Sequence, residues 1–309
     1  MSMSLPGTGG PFGRVLSAMI TPLTDGGIDL DGVGRLATHL VDEAGHDGLV
    51  INGTTGEAPT TTDVEKDQVL RAVLDAVGDR ATIVAGVGTA DTAHSIELAR
   101  AAERAGAHGL LVVTPYYSCP PQEALRTHLR SVADSVGLPL MLYDIPGRAG
   151  AALTTETLVR LAEHPRIVAL KDAKGNVAET SWVLARSDLA VYSGDDVLTL
   201  PLAAVGAVGV VGVVTHVAGP QVRAMLLHHE AGRVAEARAL HHQLMPVFTG
   251  FFRTQGVILV KAALKELGLP AGPVRLPLMN ATADELEQLR DDCLAAGLPL
   301  NRDALVPSV

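Results

Sequence analysis

Eight short apolar runs, each followed by a longer amphipathic stretch, constrain this chain more than any other feature. The runs occupy residues 15–20, 48–51, 82–86, 109–113, 139–143, 167–171, 189–194 and 208–214. They lack the alternation of a strand with one wet face, so each predicts a strand covered on both faces, as in a parallel sheet. Between them, residues 31–44, 62–77, 91–105, 122–136, 155–163 and 177–186 carry helical patterns. Asp, Thr or Asn opens many of these, where a side-chain oxygen accepts from the orphan amides of a first turn, and Gly45, Gly78 and Gly106 follow the ends.

Eight strand–helix units in series predict either a closed barrel or a doubly wound open sheet. The regular repeat, with no GxGxxG after the first strand, favours an α/β fold of the (β/α)8 TIM-barrel type. From about Ala231 the pattern is helical only, with a Thr-x-x-Glu capping box at Thr282 and Glu285. The expected organisation is therefore a flexible arm over 1–13, a catalytic barrel over 14–230 and a C-terminal helical domain over 231–309. The arm is rich in Ser, Gly and Pro and has neither the basic start nor the apolar centre of a signal peptide.

A formal charge of −10 argues against nucleic-acid and anionic-membrane partners, because phosphates require a cationic footprint. No apolar run reaches the roughly 18 residues of a membrane span. The two cysteines, Cys119 and Cys293, show neither CxxC nor Cys/His ligand spacing. A cytoplasmic protein with small-molecule partners is the expectation.

In a (β/α)8 barrel the chemistry sits where the strands end. Lys171 closes an apolar strand, where poor solvation of the ammonium would lower its pKa toward the neutral amine that attacks carbonyls. Taken alone it is more often a lysine that snorkels or pairs with Asp172 or Asp144. Gly53-Thr54-Thr55-Gly56 predicts a tight turn whose glycines permit left-handed conformations and whose amides and hydroxyls suit a carboxylate; an ordinary Ser/Thr turn is the alternative. Three of the four tyrosines, Tyr116, Tyr117 and Tyr143, fall at strand ends, where phenols with a threonine hydroxyl suit a proton relay or simply a core rim. Arg148 offers a planar fork to a carboxylate, or to a surface ion pair.

Taken together, GTTGE (53–57), TPYY (114–117), YDIPGR (143–148), KDAKGN (171–176) and YSGDD (192–196) resemble, in order and spacing, the dihydrodipicolinate synthases (4-hydroxy-tetrahydrodipicolinate synthases) of the N-acetylneuraminate lyase superfamily. The match spans nearly the whole chain after the arm. The resemblance implies condensation of pyruvate with L-aspartate-4-semialdehyde, the first step toward diaminopimelate and lysine. It implies no metal or organic cofactor, only a covalent pyruvate imine on Lys171. Tyr143 would be the general acid/base, and Thr54 with Tyr117 would complete the relay, the latter reaching a neighbouring subunit's site. Thr55 and adjacent backbone would hold the pyruvate carboxylate, Arg148 would receive the carboxylate of the semialdehyde, and Gly194 and Val211 would line the pyruvate pocket. A homotetramer built as a dimer of tight dimers would make Tyr116 and Tyr117 interface residues too.

Two departures accompany the resemblance. Lysine-inhibited members carry histidines shortly after GTTGE and a glutamate in the next helix, whereas this chain has Asp63, Lys66 and His94, so feedback by lysine is not expected. Cys119 and Gly212 replace a basic residue and a serine common in the family, without touching an implied catalytic role. The alternative within the superfamily is a lyase or aldolase for N-acetylneuraminate or a 2-keto-3-deoxy sugar acid, from which Thr54-Thr55 and Arg148 distinguish this chain. A silent metabolite-binding barrel would show a broken residue set.

Overall fold

A computed structural model describes residues 9–300. Eight parallel strands close into a barrel: β1 (Val15–Ala18), β2 (Gly48–Ile51), β3 (Thr82–Gly86), β4 (Gly109–Val113), β5 (Leu140–Asp144), β6 (Ile167–Asp172), β7 (Ala190–Ser193) and β8 (Gly209–Gly212). Sequential strands neighbour one another, and β1 closes the ring on β8 with Leu16 opposite Val211. Residues of β1, β2, β5 and β8 are buried along their full lengths, which is the physical reason their sequences are apolar without alternation.

The helices are α1 (Leu30–Thr38), α2 (Asp63–Val77), α3 (Thr92–Ala105), α4 (Gln122–Asp134), the one-turn α5 (Pro146–Ala149), α6 (Thr155–Ala162), α7 (Val177–Arg186), α8 (Thr199–Ala204), α9 (Thr215–Glu230), α10 (Val234–Gly250), α11 (Gly256–Glu266) and α12 (Ala283–Ala295). Capping explains half of these starts: Asp29, Thr62, Asp91, Thr154 and Asn176 each accept from a first-turn amide, and Thr282 forms the expected capping box with Glu285. No helix among the described residues is long and apolar enough to cross a membrane.

The structure shortens or redraws some expected helices. The stretch 31–44 is α1 followed by a π-helical turn over His39–Glu43, and α4 stops at Asp134 rather than 136. Gly45 and Gly106 take left-handed φ of 68° and 96° at helix ends, but Gly78 keeps a right-handed φ of −65°. Its small size serves packing instead, since a Cβ there would lie 2.6 Å from the Leu74 carbonyl oxygen.

Residues 1–8 of the expected arm lie outside the described residues, and its last residues are anchored rather than loose. Phe12 is buried, and its amide donates to the Tyr192 hydroxyl at 3.0 Å. A large apolar side chain next to a barrel floor gains more by burial than the Gly-rich stretch before it suggests. Beyond α9, the helices α10 to α12 share one continuous apolar core with the barrel through residues such as Leu244, Phe248, Val257 and Leu289.

Candidate active site

Lys171 lies in β6, paired in register with Tyr143 of β5 on one side and Tyr192 of β7 on the other. It is 4% exposed, and its Nζ stands 4.3 Å from the centre of the Tyr143 ring. Burial pulls its pKa down to about 8; the nearby Asp196 carboxylate raises it, and the Arg148 guanidinium lowers it further. The alternative of a structural ion pair is not realised. Asp144 takes Lys174 at 3.1 Å instead, and Asp172 accepts from the Thr180 hydroxyl at 2.5 Å and the Lys174 amide at 2.9 Å. Lys171 thus retains an ammonium-to-amine equilibrium that no carboxylate clamps at hydrogen-bond range among the described residues.

The space around this lysine depends on glycine. A Cβ on Gly194 would come within 3.0 Å of Lys171 Cγ and 3.1 Å of its Cε, so any side chain there would press on the amine's stem. The Gly194 amide is fixed by the Asp172 carbonyl at 2.7 Å. Val211 is fully buried in β8, as an aliphatic wall requires.

Tyr143 is 5% exposed, and burial pushes its phenol up to about 12, opposed by the Arg148 charge and by the nearby Thr54 side chain. Thr55 is buried beside it in sequence, at the end of β2. The expected left-handed turn is present, but the glycines are not the residues that adopt it. Asn52 and Glu57 carry φ of 55° and 59°, whereas Gly56 serves close approach, with Asn52 N, Met19 O and Thr21 Oγ1 each 3.3 Å from where its Cβ would be. Tyr117 (φ 74°) and Cys119 (φ 46°) are the other two non-glycine residues with left-handed backbone among the described residues, and all four border this face. Such conformations persist where surrounding contacts over-determine them, and they concentrate at functional sites.

A cleft of about 650 Å³ opens over the carboxyl ends of the strands and is lined by Thr54, Tyr116, Tyr117, Tyr143, Arg148 and Gln255, among others. Lys171, Gly194, Thr55 and Val211 lie off this lining, while Tyr143, which lines the cleft, has the Lys171 amine 4.3 Å from its ring centre. Arg148 sits on α5, where its Nη2 donates to Gln255 Oε1 at 3.3 Å. Tyr117 is 96% exposed, and its hydroxyl makes no hydrogen bond among the described residues, so within one chain Tyr143 lies beside Thr54 while Tyr117 faces outward.

At the cleft's far end His94 Nε2 lies 2.9 Å from Asp63 Oδ2, and Lys66 Nζ lies 3.8 Å from Asp63 Oδ1 while donating to the Thr61 carbonyl at 2.5 Å. These three side chains satisfy one another. Two site neighbours were not singled out from sequence. Asp196 belongs to a noticed motif, yet nothing local marks it as a buried carboxyl raised to about 6 and in electrostatic contact with Lys171. Gln255 meets Arg148 across 107 residues, a separation that leaves no periodic signal.

A closed eight-stranded barrel with a buried amine, a buried phenol and a polar turn on its carboxyl-terminal face is a barrel enzyme. The chain belongs to the dihydrodipicolinate synthetase family, whose model matches residues 11–296. It is 70% identical over 288 residues to the 4-hydroxy-tetrahydrodipicolinate synthase of Acidothermus cellulolyticus, covering 93% of each chain. It is 65% identical to 4-hydroxy-tetrahydrodipicolinate synthase 2 of Streptomyces coelicolor, covering 94% of this chain and 97% of the relative. Its fold overlays a crystal structure of DHDPS from Cyanidioschyzon merolae with lysine bound, at TM-score 0.90 and 42% identity over 93% of this chain and 99% of that one.

Proposed function

We propose that the chain is a 4-hydroxy-tetrahydrodipicolinate synthase, a lyase condensing pyruvate with L-aspartate-4-semialdehyde through an imine on Lys171. The family and its named relatives support this activity over a sister lyase for N-acetylneuraminate or a sugar acid. The observation that carries the chemical assignment is Lys171 itself: a buried amine with a depressed pKa, unclaimed by Asp144 or Asp172 and standing over the Tyr143 ring.

The neutral amine adds to C2 of pyruvate, and loss of water from the carbinolamine leaves the imine. The cationic imine acidifies the methyl protons at C3, and the resulting enamine carbon attacks the aldehyde of the second substrate. Tyr143, beside Thr54, would carry protons during addition and dehydration, which its buried phenol supports. Tyr117 would complete this relay across a subunit interface, which its outward placement and left-handed backbone favour. The tetramer, a dimer of tight dimers in the cytoplasm, is part of this proposal. Thr55 and the turn's backbone would hold the pyruvate carboxylate, with Gly194 and Val211 shaping the inner pocket. The reaction so drawn uses no metal or organic cofactor. We propose further that the catalytic barrel spans 14–230 and the C-terminal helical domain 231–309, of which 301–309 lie outside the described residues.

Arg148 is the residue that tests the second substrate. Arg148→Ala should leave a borohydride-reducible pyruvate adduct on Lys171 while lowering kcat/KM for the semialdehyde roughly 10- to 100-fold, the scale of a lost charge-assisted hydrogen bond. Both measurements belong above pH 8, because the Arg148 charge also lowers the Lys171 pKa and its removal would otherwise confuse the two effects. Unchanged semialdehyde turnover would remove Arg148 from the site.

Lysine should not inhibit. Asp63 already accepts from His94 and faces Lys66, so an incoming ammonium meets an occupied carboxylate and a competing cation. Steady-state assays with lysine at cellular concentrations should give unchanged rates, and a clear fall in rate would show that these residues rearrange to accept it.

A further inference from the structure

Glu57 ends the turn that carries Thr54 and Thr55, yet it points away from the cleft and into the C-terminal helices. It is 3% exposed and left-handed at φ 59°, a conformation that costs a non-glycine residue unless contacts hold it. Those contacts come from 204 and 218 residues downstream. Lys261 of α11, itself buried, donates to Glu57 Oε1 at 2.5 Å and to the Pro273 carbonyl at 2.7 Å. The Arg275 amide donates to Glu57 Oε2 at 2.8 Å. The Arg275 side chain then reaches the Thr60 carbonyl at 2.9 Å and Glu65 at 2.5 Å, so the same loop is held at both its end and its exit.

We propose that Lys261, through Glu57, is a positioning residue for the pyruvate-carboxylate turn: the C-terminal helices hold Thr54 and Thr55 in register with Lys171 by a buried ion pair rather than merely covering the barrel. This rests on the reading of Thr54-Thr55 as the turn that receives pyruvate. The pair is built for position. A hydrophobic pair of similar volume would be at least as stable in a buried setting, but it would not fix the direction of the Glu57 backbone as a carboxylate held by two donors does. The amide of Glu57 also donates to the Thr54 carbonyl at 3.1 Å and the Ala58 amide to the Gly53 carbonyl at 3.2 Å, so a shift of residue 57 is transmitted directly to residues 53 and 54.

The test uses the full-length protein in three forms, Lys261→Met, Glu57→Gln and the double variant, with steady-state kinetics for each substrate, circular dichroism and thermal melting. The expected result is a KM for pyruvate raised about tenfold in each single variant, accompanied by a fall in kcat because Thr54 moves with the turn, while the KM for the semialdehyde changes by no more than about threefold. In the double variant the pyruvate effect should be no larger than in the worse single one, because both remove the same contact. Lowered melting temperature with an unchanged KM for pyruvate would overturn the proposal, as a purely structural pair predicts that result. If Lys261→Met fails to fold because Glu57 is left buried and unpaired, the double variant, which buries no lone charge, decides in its place. Thr55→Val separates this inference from its premise: if that change leaves the KM for pyruvate untouched, the turn does not bind pyruvate, whatever Lys261 does.

Discussion

Replacing Lys171 with alanine is expected to abolish borohydride trapping of pyruvate on the protein and to lower kcat by roughly 10³-fold or more, the scale seen when a covalent nucleophile is removed. The loss should come without collapse of the fold, because the barrel loses no ion pair with the amine and sheds the cost of a poorly solvated cation. The pH dependence of the unaltered protein is part of the same expectation. With its pKa near 8, about a tenth of Lys171 is neutral at pH 7, against roughly 3 parts in 10⁴ for an amine at 10.5. Because the neutral form is the nucleophile and the folded pKa is lowered, the rate of imine formation should climb with pH and level off above a midpoint near 8. Intact-mass measurement after borohydride reduction checks both. A reducible adduct surviving in the Lys171→Ala protein would assign the chemistry to another amine.

How much of this was legible in the chain depends on the range of the interaction concerned. The strands Gly48–Ile51, Thr82–Gly86 and Gly109–Val113 match their apolar runs residue for residue, because a strand buried on both faces writes its burial directly into sequence. Helix starts were equally local, since a capping side chain bonds an amide two or three residues away, as Asp91 does with the Ala93 amide at 2.9 Å. Ends were less so: Gly78 resembles a left-handed terminator in sequence but is a packing glycine. The site divides the same way. Lys171, Tyr143 and Gly194 stand out because each terminates or follows a strand, and register alone brings Lys171 opposite Tyr143. Sequence could not decide whether Lys171 pairs with Asp144, because only the fold shows Lys174 occupying that carboxylate. Glu57 with Lys261, and Arg148 with Gln255, join segments with no common periodicity, and complementary groups 204 and 107 residues apart announce nothing locally. The anchoring of Phe12 is of the same kind, since its partner is the hydroxyl of Tyr192.

Tyr143 carries the second large expectation. Tyr143→Phe removes one oxygen and leaves the ring, so the aromatic face 4.3 Å from the Lys171 amine is preserved, and with it the local packing. What disappears is the proton-carrying phenol beside the Thr54 side chain. The stability cost should be no more than about 1 kcal/mol, because the ring and its packing remain, while kcat should fall by roughly 10²- to 10⁴-fold, the range for a positioned general acid/base. The two magnitudes distinguish the roles: a tyrosine that only packs would show the stability change without the kinetic one. Imine formation should slow but remain detectable, because the Lys171 amine stays buried with its pKa lowered by desolvation, which the missing hydroxyl does not supply. Rapid-quench borohydride trapping separates adduct formation from turnover, and a Tyr143→Phe protein that turns over within about threefold of the parent would transfer the proton-carrying role to another group on this face.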